Sequence, residues 1–158
     1  MNRRSFLVAS STLLAACTAG CRSFVEQLQP AQANVNFIPD LEISLTAKEE
    51  TVSLVPGDPT PVWQYHGQVL KGDSAALANL QNSYLGPTIR VHKGQKIRIH
   101  FKNELHEESI IHWHGVILPD DMDAHPRYVI QPKETYVYEF EVRNRAGTYW
   151  YHPILTVA

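Results

Sequence analysis

The chain has 158 residues, with 14 Lys and Arg against 16 Asp and Glu and a formal net charge of −2. That length holds about one domain of the usual ~100–150 residues beside a leader segment. The balanced, mixed charge offers no basic stripe for nucleic acid and no acidic tail. Both cysteines, Cys17 and Cys21, lie near the start. The rest of the chain therefore has no thiol for a disulfide, a cysteine-ligated zinc site or a cysteine nucleophile.

Residues 1–33 read as an export signal. Arg3 and Arg4 stand directly before an apolar run from Phe6 to Ala19, which is shorter than the ~20 residues needed to span a bilayer. Arg3-Arg4-Ser5-Phe6-Leu7 resembles a twin-arginine signal, a route that carries proteins already folded; an ordinary secretory signal containing two arginines is the alternative. Two processing sites compete. Leu14-Ala15-Ala16-Cys17 resembles a lipoprotein box, in which Cys17 would become a lipidated first residue, and Ala31-Gln32-Ala33 offers cleavage to a soluble product. Either product is expected outside the cytoplasm, in the periplasm or cell envelope, lipid-anchored in the first case.

Residues 34–158 read as strands and turns. Leu41-Glu42-Ile43-Ser44-Leu45 alternates apolar and polar, and Val52-Ser53-Leu54 repeats the pattern after Lys48-Glu49-Glu50, which suggests a hairpin. Val62–Tyr65 is a third strand. Asp73-Ser74 is placed to cap a short helix over Ala75–Leu80. After the Gly86-Pro87 turn come Thr88–Val91 and Lys96–Phe101, the second with Ile97, Ile99 and Phe101 on one face and Lys96, Arg98 and His100 on the other. Ser109–His114 is a further strand. Leu118–Lys133 holds three prolines and reads as a long loop; Tyr136–Val142 and Gly147–Tyr151 close the series. Short strands with Gly/Pro turns and no long helix predict an all-β, antiparallel sandwich or barrel.

The chemistry lies in His112-Trp113-His114-Gly115. Residues two apart on a strand share a face, about 6.5 Å apart. Two imidazoles so placed suit copper, zinc or nickel, and the lack of thiolate disfavours structural zinc. Such a pair also occurs in strands that bind nothing. A second cluster alters the balance: Thr148-Tyr149-Trp150-Tyr151-His152-Pro153 puts another histidine after an aromatic strand able to lie beside the first. His100 reads as a solvated surface residue on the polar strand face. His66, His92, His106 and His125 fall at turns or loops without a paired neighbour, and Asp120, Asp121 and Asp123 as a solvated acidic loop.

Leu85-Gly-Pro-Thr-Ile89, Val91-His-Lys-Gly94, Asn103-Glu-Leu105, His112-Trp-His-Gly115 and Ala146-Gly-Thr-Tyr-Trp-Tyr-His-Pro153 stand in an order similar to the first domain of multicopper oxidases. The resemblance implies a cupredoxin-like (plastocyanin-like) Greek-key β-sandwich and copper as cofactor. It implies that His112 is a type 2 copper ligand, and His114 and His152 ligands of the type 3 pair. In the family, a trinuclear cluster takes four histidines from the first domain and four from the last, and receives electrons from a cysteine-bound type 1 copper. The family's fourth first-domain histidine would fall at Ile154, four residues before the last residue, Ala158.

The expectation is thus a half-site, inactive alone and needing the missing oxidase domains, in a domain incomplete at its C-terminus with an unpaired strand edge. Two other readings stand beside it: a small envelope module that holds or passes copper, and a copper-free interaction module.

Overall fold

The computed structural model describes residues 33–154. Residues 1–32, which hold most of the expected export signal and Cys17, lie outside the described residues.

The main sheet takes β1 (Leu41–Val52), β2 (Thr60–Lys71), β5 (Lys96–Asn103) and β7 (Thr135–Glu141) in the order β2-β1-β5-β7. Two short ladders complete the fold: β3 (Leu77–Ala78) with β4 (Thr88–Ile89), and β6 (Ile110–His114) with β8 (Trp150–Ile154). The all-β class is as expected, with one departure from a purely antiparallel sheet. β1 and β5 run parallel, with Ile43 beside Ile99 and Leu45 beside Phe101.

The period-two pattern explains the main sheet. Leu41, Ile43, Leu45 and Ala47 of β1, Ile97, Ile99 and Phe101 of β5, and Tyr136, Tyr138 and Phe140 of β7 share the inner face and are buried. A one-residue slip would turn all of them to solvent, so burial fixes the register. The β6–β8 ribbon forms the second layer, laying Ile111, Trp113 and Tyr151 on that core. Trp113 meets the Tyr138 ring at 5.6 Å and the Tyr151 ring at 5.3 Å. The Ile111 N–H donates to the Tyr138 hydroxyl at 3.1 Å, which ties the ribbon to the sheet.

Two local expectations are corrected. No hairpin turn forms at Lys48-Glu49-Glu50. β1 runs straight through, because Lys48, Glu49 and Glu50 pair with Gln64, Trp63 and Val62 of β2. The helix over Ala75–Leu80 is a single 3-10 turn at Ser74–Ala76 followed by β3. The Asp73 cap does form, accepting from Ala75 N at 2.9 Å, but the chain then extends. Leu77 pairs with Ile89, and Ala76 O accepts from Arg90 N at 2.7 Å. Tertiary pairing outweighs weak local helix propensity.

The layers do not close everywhere. Between them lies a cavity of ≈ 730 Å³, bordered by Tyr65, Pro87, Trp113, Phe140 and Tyr151. Among the described residues no helix is long and apolar enough to cross a membrane.

Candidate metal centre

Antiparallel pairing of β6 with β8 sets His112 directly opposite His152, and His114 opposite Trp150. Opposed residues point to the same face, so the three histidines and Trp150 share the outer side of the ribbon while Trp113 and Tyr151 share the inner side. One nitrogen from each of His112, His114 and His152 lies within 4.8 Å of the others. Ring centroids are 5.3 Å apart for His112–His114 and His112–His152, and 6.0 Å for His114–His152. Trp150 stacks on both His114 and His152, at 4.6 and 4.3 Å.

Hydrogen bonds select which nitrogens face the cluster. His112 Nδ1 is 2.8 Å from Asp123 Oδ1, which also accepts from Trp113 N at 3.2 Å and Ala124 N at 2.9 Å. An oxygen already accepting two amides is an acceptor toward the ring as well, so Nδ1 carries the proton and the Nε2 lone pair is free. His152 repeats the arrangement with its Nδ1 at 3.0 Å from the Pro153 carbonyl. Holding the far nitrogen in this way is how proteins orient imidazole ligands.

The ends of the ribbon are also fixed. Gly115 (φ 76°) takes the left-handed turn after His114. Asn144 clamps that turn, donating to Gly115 O at 2.8 Å and accepting from Ile117 N at 2.8 Å. At the entry to β6, buried Asn103 donates to Glu107 O and Ile130 O and accepts from Leu105 N. On the inner side, Gly86 makes room for Tyr151: a Cβ there would sit 2.6 Å from the hydroxyl. That hydroxyl donates to Pro87 O at 2.8 Å, and burial pushes its pKa well up, so it remains a neutral donor.

The three histidines singled out from sequence are thus brought together, and they form the only such group among the described residues. The rest lie elsewhere. His100 bonds Glu42 at 2.6 Å and His106 bonds Glu49. His66 proves to lie in β2 rather than at a turn, 3.5 Å from Glu50. His125 accepts from Arg127 N, and His92 is exposed. Ile154 extends the histidine row, paired with Ile110. The residue that sequence reasoning missed is Asp123. It reads as one of three acidic loop residues, yet the 3-10 turn Asp120–Met122 delivers it to His112; nothing in local spacing signals that contact.

The fold is that of a cupredoxin-type domain, and its β6–β8 ribbon carries a thiolate-free imidazole trio, with a carboxylate behind one ring, that could hold a metal ion. The chain matches the family model described as multicopper oxidase over residues 62–157. It is similar to copper resistance protein A of Escherichia coli, 41% identical over 86 residues, covering 52% of this chain and 14% of the relative. Cell division protein FtsP of Rahnella aligns over 96% of this chain and 30% of its own length, at 28% identity. Among solved structures, the multicopper oxidase McoA of Aquifex aeolicus superposes with a TM-score of 0.57 and 32% identity, over 81% of this chain and 26% of that one. The chain belongs to the multicopper oxidase family. It spans less than a third of the length of each of these three relatives, and the family's cofactor is copper.

Proposed function

We propose that residues 34–158 are the copper-binding first domain of a multicopper oxidase, with His112 as a type 2 ligand and His114 and His152 as type 3 ligands. The observation that carries this is the convergence of the three imidazoles within 4.8 Å. The donor set fits copper: all nitrogen, borderline-soft and free of carboxylate. Ligands to one ion at roughly 2 Å each stand no more than about 4 Å apart. A trio spread up to 4.8 Å is therefore also suited to division between neighbouring ions.

Bound copper would supply one-electron chemistry toward oxygen. This chain's residues supply the positioning. Asp123 holds the His112 ring by its Nδ1 proton and leaves Nε2 as the donor; the Pro153 carbonyl does the same for His152. Trp150 covers one side of the rings, limiting their rotation and the access of water. Residues 22–158 contain no cysteine, so they cannot form a cysteine-bound electron-entry copper. Oxidation of a reducing substrate coupled to reduction of oxygen to water is a property of the assembled oxidase, and turnover by this chain alone is not expected. The leader (residues 1–33) directs the domain out of the cytoplasm.

Copper titration of the chain under a competing chelator tests the reading. The parent binds copper, and the double variant His112→Ala, His114→Ala does not. Equal binding by both would end the proposal.

A further inference from the structure

At Asn34, near the first of the described residues, the main chain is held by a charged socket. Asn34 N–H is shared between both carboxylate oxygens of Glu139, 3.2 Å from each. Its carbonyl accepts from Arg98 Nη2 at 2.9 Å and from Phe37 N at 3.0 Å, and its side-chain oxygen accepts from Asn36 N at 2.9 Å. Arg98 in turn donates from Nε to Glu139 at 2.6 Å and from Nη2 to Phe37 O at 2.7 Å. Its Nη1 lies 3.6 Å from Glu42, whose other partner is His100.

The Arg98 and Glu139 side chains are 12% and 9% exposed. Glu139 Oε1 also accepts from Arg98 Nε, whereas Oε2 is left with a share of one amide proton. Two carboxylates, Glu139 and Glu42, face the one Arg98 guanidinium, and Glu42 also takes the His100 hydrogen bond.

We propose that the leader is removed between Ala33 and Asn34, and that the new α-ammonium of Asn34 seats on the Glu139 carboxylate. The cleavage is a hydrolysis by the exporting cell's signal peptidase: water gives its hydroxyl to the Ala33 carbonyl and its proton to the Asn34 nitrogen. That nitrogen then carries three donors and a full charge where it had one donor, enough to give Oε2 a charge-assisted donor of its own. Ala31 and Ala33 are the small residues such cleavage needs. Ala33 and Asn34 are both exposed, so the bond is accessible after folding, as a route for folded proteins requires. Processing at Cys17 would instead leave residues 17–33 attached and Asn34 an ordinary amide. The inference rests on the export reading above, and it selects one of the two processing sites.

The test expresses the full chain with its own leader in a bacterium that has twin-arginine export, then sequences the N-terminus of the envelope product. The expected first residue is Asn34. Amine-directed reductive methylation at neutral pH then compares the parent with Glu139→Gln. A seated ammonium holds its proton to higher pH, so the parent's α-amine should label roughly tenfold more slowly. Labelling the parent in strong urea gives the same contrast without relying on the variant's fold. A product beginning at a lipidated Cys17 overturns the cleavage while leaving export intact, and an α-amine equally reactive folded and unfolded overturns the seating. A chain retained with Met1 overturns the export reading itself.

Discussion

The main sheet and the β6–β8 ribbon share one core but present opposite characters. In β5 the inward residues Ile97, Ile99 and Phe101 are sealed, with Phe101 at 0% exposure. In β8 the outward residues remain open, Trp150 at 56% and Ile154 at 41%. The ribbon packs on the core through Ile111, Trp113 and Tyr151, and keeps its histidines on the other face. A candidate site built this way is packed where it touches the core and accessible on its histidine face. The fold and the chemistry therefore respond separately to mutation.

The largest expected effect lies in the sheet. Phe101→Ala leaves a void among close-packed rings and should cost about 3–5 kcal/mol, read as a fall in the urea midpoint. A loss below about 1 kcal/mol would mean that the sheet is not the rigid partner. On the ribbon, His112→Ala with His114→Ala should weaken copper binding by more than roughly 100-fold, with little change in that midpoint; a large stability loss would show that the two regions are coupled. Asp123→Ala frees the His112 ring and should weaken copper binding by roughly 10–100-fold in the same chelator competition. Trp150→Leu should act less on affinity and more on signal, abolishing most of the fluorescence quenching on copper addition, since of the three tryptophans Trp150 stacks on the site histidines while Trp113 faces the core and Trp63 lies against His106.

The smallest effect concerns the outer face of the main sheet. The His100 hydrogen bond, followed by the Arg98 charge, holds the Glu42 carboxyl below the usual carboxylate range. A depressed carboxylate pKa favours the ionised fold, so its contribution is present above the unfolded value of about 4.5 and is lost as pH falls through the lower folded value. Glu42→Gln should therefore lower Tm slightly at pH 7 and leave it unchanged at pH 2. The reverse order would contradict the network.

Much of this was legible from residue order alone. Alternation marked β5 and β7 because one wall of each is core, and the His-x-His spacing put His112 and His114 on one face whatever the partner strand. Where local signals mixed, reading failed. Lys48-Glu49-Glu50 has turn-like composition but lies in a long strand, since its three residues pair with Gln64, Trp63 and Val62 of β2. Ala75–Leu80 has helix-forming residues, yet Leu77 gains more from Ile89 and the core than from a further helical turn. Asp123 was indistinguishable from Asp120 and Asp121, because all three are acidic loop residues and only chain path separates them.

The sequence by itself determined the all-β class, the family, and which three histidines converge, because strand periodicity and short motifs are local properties of the chain. Tertiary structure alone decided that His152 faces His112 across a ladder, that Asp123 rather than its neighbours orients a ring, and that Glu139 meets Asn34. Those contacts join residues 11 to 105 positions apart. Pairing register, loop path and burial choose them, and no short window of sequence encodes all three.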